Sequence, residues 1–269
     1  MTEYVNIYIN GRKYEAKNGE MLLSVARRNG IYVPSLCYEE ALGAYGSCRM
    51  CIVEVIAGEQ KGITTSCSLA CTKDLKVETD TQEIIKHRKI LIELYLAQAP
   101  NSEKIRELAN KYGVKNTRFK RKIEKKDPLD NKCILCGLCV RTCNELIGRG
   151  VINFINRGYK TKVNTPYFES SEICMGCKAC LEVCPTDAIT ITDKGDTRIL
   201  SSWSNTTVKM EKCIGCGKFS VPEPIRKKMD SKFFYEDEVL KNLCPDCRKK
   251  LITKKVTLIS EKKVEQYVK

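Results

Sequence analysis

Histidine is almost missing from this chain. His87 is the only one among 269 residues. A Ser-His-Asp or Cys-His catalytic pair needs an imidazole beside a nucleophile, and none surrounds His87 in the sequence. A surface or capping role on a helix is the expectation for it. The G-x-G-x-x-G and P-loop patterns are also missing, so no flavin or nucleotide site of its own is expected. No window holds eighteen uninterrupted apolar residues, which predicts no membrane span. The start, Met1-Thr-Glu-Tyr-Val-Asn, shows no basic stretch leading into an apolar one, so no secretory signal is read there. The expectation is a cytoplasmic, reducing setting, where cysteines at C-x2-C spacing read as metal ligands and not as disulfides.

Cysteine is what the chain has in excess, at seventeen residues. Two runs dominate. Cys133-Ile-Leu-Cys136-Gly-Leu-Cys139-Val-Arg-Thr-Cys143 is followed by Cys174-Met-Gly-Cys177-Lys-Ala-Cys180-Leu-Glu-Val-Cys184-Pro185. Both read C-x2-C-x2-C-x3-C, the ligand spacing of a two-[4Fe–4S] ferredoxin, in which each fourth cysteine serves the other cluster. The first cluster then takes Cys133, Cys136, Cys139 and Cys184. The second takes Cys174, Cys177, Cys180 and Cys143. Gly137 and Gly176 lie inside these loops, where backbone N–H groups can approach the cluster sulfur. Two independent structural zinc sites are the competing reading, but zinc seldom uses four-cysteine runs of this form.

A further constellation stands upstream: Cys37, Cys48 and Cys51, with ten and two residues between them. A fourth thiol is supplied by Cys67 or by Cys71. Three cysteines in a loop carrying Gly43 and Gly46, plus one distant cysteine, is the general pattern of a [2Fe–2S] ferredoxin. Arg49 lies between two of the ligands and is a candidate for tuning the potential. Downstream, Cys213-Ile-Gly-Cys216-Gly217 and Cys244-Pro-Asp-Cys247 form two C-x2-C knuckles, a tetrahedral four-thiolate signal. Their 27-residue separation exceeds the usual zinc-ribbon gap, and the knuckles also look like those of rubredoxin. Zinc is favoured and mononuclear iron stays open.

The formal charge is +14, from 47 Lys and Arg against 33 Asp and Glu. Metal-bound cysteines are thiolates, so four filled sites at about −2 each bring the net charge to about +6. The basic run Phe119-Lys-Arg-Lys-Ile-Glu-Lys-Lys126 reads as a solvated linker or protein-docking surface ahead of a nucleic-acid patch.

The chain divides as an α+β protein. Residues 1–80 alternate as strands at Val5-Ile7-Ile9, Lys13–Ala16, Met50–Ile56 and Asp74–Thr79, with a turn at Asn10-Gly11 and a helix at Glu20–Arg28. Gly58 and Gly62 mark a turn. Residues 81–130 hold a helix around Ile84–Tyr95, a second helix opened by Ser102, and a charged linker closed by Asp127-Pro128. Residues 131–195 hold the paired runs, 205–255 the four-cysteine knuckle, and 256–269 a tail.

The segments Pro34-Ser-Leu-Cys37, Gly46-Ser-Cys-Arg-Met-Cys-Ile-Val-Glu-Val55 and Ser66-Cys67 resemble the N-terminal domain shared by the large iron–sulfur subunit of respiratory complex I and by [FeFe]-hydrogenases. The paired runs follow in the same order, and the resemblance covers residues 3 to 195. It implies a β-grasp [2Fe–2S] domain ahead of the two-cluster ferredoxin, with Cys67 as the fourth ligand and Cys71 a small buried residue. The family usually adds a [4Fe–4S] site held by one histidine and three cysteines. Here Leu91-Ile-Glu-Leu-Tyr-Leu-Ala-Gln-Ala-Pro100 continues without a cysteine, so that cluster is not expected, and neither is the family's large catalytic domain. The resemblance implies an electron-transfer subunit of an NAD-linked oxidoreductase of anaerobes, including electron-bifurcating ones. Its expected partners are a flavin-containing NAD-linked subunit and a separate catalytic subunit, with a soluble ferredoxin as a further candidate. The competing expectations are a free-standing ferredoxin-like carrier and, last, a metal-dependent nucleic-acid regulator.

Overall fold

Val5, Ile7 and Ile9 are buried on one face of β1 (Tyr4–Ile9), which pairs antiparallel with β2 (Arg12–Lys17). Asn10 and Gly11 join them at φ +51° and +73°, as a two-residue hairpin turn requires. Helix α1 (Leu22–Arg28) buries Leu22, Leu23, Val25 and Ala26. Strands β3 (Ile52–Ala57), β4 (Gly62–Thr65) and β5 (Lys76–Glu78) complete a five-stranded sheet in the order β2-β1-β5-β3-β4. The β1–β5 pair is parallel and the others are antiparallel. Gly62, expected in a turn, instead opens β4 opposite Val55.

The computed structural model describes residues 3–121, 126–232 and 238–254. The centre of the basic run at 119–126 and the tail segment Val256–Ile259 lie outside the described residues. After the sheet come α2 (Gln82–Gln98) and α3 (Glu103–Lys111). Each is capped by a hydroxyl: Thr81 accepts from the Ile84 N–H at 3.3 Å and Ser102 from the Ile105 N–H at 3.4 Å. The paired runs place short helices α4 (Leu138–Arg141) and α5 (Ala179–Glu182), which pack on each other. The insert between the runs carries the hairpin β6 (Asn153–Ile155) and β7 (Lys162–Asn164).

The chain forms two compact units. The first is Met1–Pro166 with Ala179–Thr190, and the second is Tyr167–Lys178 with Ile191–Lys269. The second unit is built on β8 (Ile191–Lys194), β9 (Thr197–Leu200), β10 (Thr206–Lys212) and β11 (Phe219–Pro222), an antiparallel sheet in order β11-β10-β9-β8. This sheet runs on across residues 195–205, between the segments that the cysteine spacing delimits. Helices α6 (Glu223–Lys232) and α7 (Glu238–Lys241) follow. The first unit has two apolar clusters. One fills the space between its sheet and α1 and includes Cys51, Cys67 and Cys71. The other joins Leu36, Met50 and the inner faces of α2 and α3 to Ile134 and Leu138, and includes Cys37, Cys48 and Cys136.

Candidate metal centres

The four N-terminal cysteines are buried and meet as two pairs. Cys48 hydrogen-bonds Cys37 through its thiol, and its backbone N–H also donates to Cys37 Sγ at 3.3 Å. The N–H groups of Gly46 and Ser47 add to this, and Gly46 sits at φ +69°, where the loop curls back on the sulfur. These donors hold the Cys37 thiol down to about 6, against the opposing effect of burial. Cys51 is held at about 6 in the same way, first by the Cys67 thiol and then by the Cys67 N–H and Ser66. The partners Cys48 and Cys67 are driven up, because each is the donor of its pair and is buried. Two thiol pairs fit two tetrahedral irons with two cysteines each, the donor set of a [2Fe–2S] group. Cys71 is wholly buried in the apolar core, where burial pushes its thiol up to about 12. Arg49 is exposed, with φ +56°.

Two side chains that spacing alone did not single out position this loop. Arg88 on α2 has no solvent exposure and donates to the Met50 and Ile52 carbonyls at 3.2 and 2.7 Å. It thereby ties the strand after Cys51 to the helix, and its charge is matched by Asp80 at 2.9 Å. Tyr95, about two turns further along the helix, donates its hydroxyl to the Cys48 carbonyl at 2.9 Å. Burial first, and then the nearby sulfurs of Cys48, Cys37 and Cys136, push the Tyr95 hydroxyl strongly up. Helix α2 thus lies against both cysteine groups. His87, on the same helix, is half exposed with Nε2 3.7 Å from Glu83.

Within the first unit, Cys133, Cys136, Cys139 and Cys184 lie in one another's electrostatic field. Burial pushes Cys133 up to about 11 and Cys136 up to about 12, and raises Cys139 well above the usual thiol range. Such a nest holds thiolates only if a cationic group neutralises them, which fits an iron–sulfur cluster. Backbone donors are in place: Leu135 N–H to Cys133 and Ala188 N–H to Cys184, each at 3.4 Å. Cys143 lies on a π-helical turn, Thr142–Leu146, and accepts from the Val151 N–H at 3.4 Å. Cys143 and Cys180 belong to the first unit, and Cys174 and Cys177 to the second. In the second unit Arg198 pairs with Asp193 through Nε at 2.6 Å and also reaches the Gly176 carbonyl of the ligand loop.

Cys213, Cys216, Cys244 and Cys247 bring their sulfurs within 4.8 Å of one another, the spacing for a single tetrahedral ion. Burial opposes ionisation of Cys213, but N–H groups of Cys244, Cys216 and Gly215 together hold it down to about 6. A Cβ at Gly215 would lie 2.7 Å from Leu243 Cδ2 and would require that side chain to shift.

Comparison with known proteins matches residues 2–82 to a 2Fe-2S iron-sulfur cluster binding domain, and residues 132–188 and 173–218 to a 4Fe-4S dicluster domain. The NADH-ubiquinone oxidoreductase 75 kDa subunit of Reclinomonas americana is 30% identical over 207 residues, which are 69% of this chain and 29% of that one. The NADP-reducing hydrogenase subunit HndD of Solidesulfovibrio fructosivorans is 29% identical over 211 residues, 69% of this chain and 36% of that one. The chain thus resembles iron–sulfur subunits of the complex I and hydrogenase kind. A crystal structure of an NAD+-reducing [NiFe]-hydrogenase superposes with TM-score 0.52 at 28% identity, over 60% of this iron–sulfur chain and 75% of that chain. The chain spans only about a third of the length of the two curated relatives. No helix among its described residues is long and apolar enough to cross a membrane.

Proposed function

We propose that this chain is the electron-transfer subunit of an NAD(P)-linked oxidoreductase complex, relaying single electrons between a flavoprotein subunit and a separate catalytic subunit. The observation that carries the reading is the second apolar cluster, in which Cys37 and Cys48 of the first thiol group share one buried body with Cys136 of the next. Cys37, Cys48, Cys51 and Cys67 hold a [2Fe–2S] group on a β-grasp domain at residues 1–80. Cys133, Cys136, Cys139 and Cys184 hold one [4Fe–4S] group in the domain at 131–195. Cys174, Cys177, Cys180 and Cys143 are assigned a second on their spacing. Bound clusters supply reversible one-electron chemistry. The protein's own residues supply thiolates, N–H donors to the sulfurs and exclusion of water, which together set the potentials. Cys213, Cys216, Cys244 and Cys247 hold zinc in a ribbon-like knuckle at 205–255, with rubredoxin-type iron as the alternative. The setting is cytoplasmic and oxygen-poor.

The test is purification from the native cells without oxygen. The reading expects a complex containing flavin, in which NADH or NADPH bleaches the cluster absorbance of this chain, and no bleaching of the chain once it is separated. Recovery of the chain alone, as a monomer, would support the free-standing carrier instead.

A further inference from the structure

The loop between Cys37 and Cys48 meets the loop between Cys136 and Cys139 through one aromatic ring. Gly137 has φ +79°, and a Cβ added there would lie 2.9 Å from Tyr45 Cε1 and 3.3 Å from Phe154 Cζ. The bare backbone is what lets the Tyr45 ring sit on this ligand loop. Arg141, one helical turn on, holds the other side of the arrangement. Its guanidinium donates to the Leu42 and Gly43 carbonyls of the first loop and lies 5.2 Å from the Tyr45 ring centroid. Glu145 fixes it from behind, at 2.9 Å from Nε and 3.1 Å from a terminal nitrogen. A planar fork with acceptors on both edges has little freedom to shift.

We infer that Tyr45, clamped by Arg141 onto Gly137, is a positioning residue that fixes the spacing between the Cys37/Cys48 pair and the Cys136 loop. It thereby fixes the coupling between the two centres these cysteines hold. This rests on the proposed function. Each exchange oxidises one centre by one electron and reduces the other by one, with no bond or proton change, so separation is the main control that side chains exert over its rate. The contact is made by the ring of Tyr45 and not by its hydroxyl. Tyr95, bonded to the Cys48 carbonyl, holds the loop from a second side, so removing the Tyr45 ring relaxes the spacing without releasing the loop.

The test uses the full chain, cluster-loaded and fully reduced, with electron paramagnetic resonance reading the magnetic broadening of the [2Fe–2S] signal by its neighbour. Tyr45→Phe keeps the wild-type broadening. Tyr45→Ala and Gly137→Ala narrow the signal and slow electron exchange between the two centres, with unchanged potentials. Arg141→Lys keeps the charge but loses the fork, and narrows the signal with all iron retained, which decides the matter if the other variants bind less iron. Wild-type broadening in Tyr45→Ala and Arg141→Lys, both fully loaded, would overturn the inference alone. A wild-type chain with no [2Fe–2S] signal would overturn the proposed function with it.

Discussion

Arg88 shows how much of the site depends on residues far from the cysteines. Removing it leaves the Met50 and Ile52 carbonyls buried without a donor. Arg88→Ala is expected to cost about 2–4 kcal/mol of stability, read from thermal unfolding of the loaded protein. Arg88→Lys is expected to restore little, because an ammonium does not span both carbonyls as the guanidinium does; full recovery by lysine would contradict this account. Asp193 gives a pH-dependent case. Arg198 first, and Lys178 second, hold its carboxyl down to about 2. A depressed carboxylate stabilises the fold above its unfolded value and ceases to do so as pH falls from about 4 to about 2. The side chain is about a third exposed, so screening keeps the effect under about 1 kcal/mol. Acid unfolding of Asp193→Asn should therefore be flatter than wild type over that interval, and matching curves would refute the assignment. The clustering of Cys213, Cys216, Cys244 and Cys247 was legible, since ligand spacing is local chemistry. Arg88, Tyr45 and Tyr95 were not: Arg88 and Tyr95 meet carbonyls 36 to 47 residues away in sequence, Tyr45 meets Gly137 and Arg141, and only the folded chain brings them together.

At the scale of elements, capping chemistry carried the most information. Ser102 ahead of Ile105 predicts the start of α3, and the hydroxyl caps that helix while wholly buried. Ser102→Ala is expected to lower stability by about 1 kcal/mol, while Ser102→Asn should retain most of it, in chemical denaturation of the two variants side by side. Alternating Val5, Ile7 and Ile9 likewise gave β1. Strand β4 escaped because Gly62 reads as a turn residue, although pairing with Val55 tolerates it at a strand start. Strands β8 and β9 escaped for a different reason. Gly195-Asp196 between them is a turn signal, but the flanking segments are short, β8 buries no residue, and β9 gains its second neighbour, β10, only in the folded sheet. Cys143 lies on a π-helical turn, which the cysteine spacing does not announce.

For the molecule as a whole, Cys37, Cys48, Cys51 and Cys67 lie in the first compact unit and Cys213, Cys216, Cys244 and Cys247 in the second, and the independence of these two groups is testable. Cys213→Ser with Cys244→Ser should remove one equivalent of zinc and destabilise residues 205–254, while the iron count and the [2Fe–2S] signal stay unchanged. Loss of iron along with the zinc would show instead that the last site supports the clusters, or holds iron itself. The central claim is that three iron–sulfur groups occupy the remaining twelve assigned cysteines. Its most direct test is iron, zinc and acid-labile sulfide analysis of the full chain purified without oxygen, joined to electron paramagnetic resonance after reduction. The account predicts about ten iron, about ten sulfide and one zinc, with one [2Fe–2S] and two [4Fe–4S] signals. About eight iron with no [2Fe–2S] signal would remove the N-terminal centre, and zinc without sulfide would contradict the account entirely.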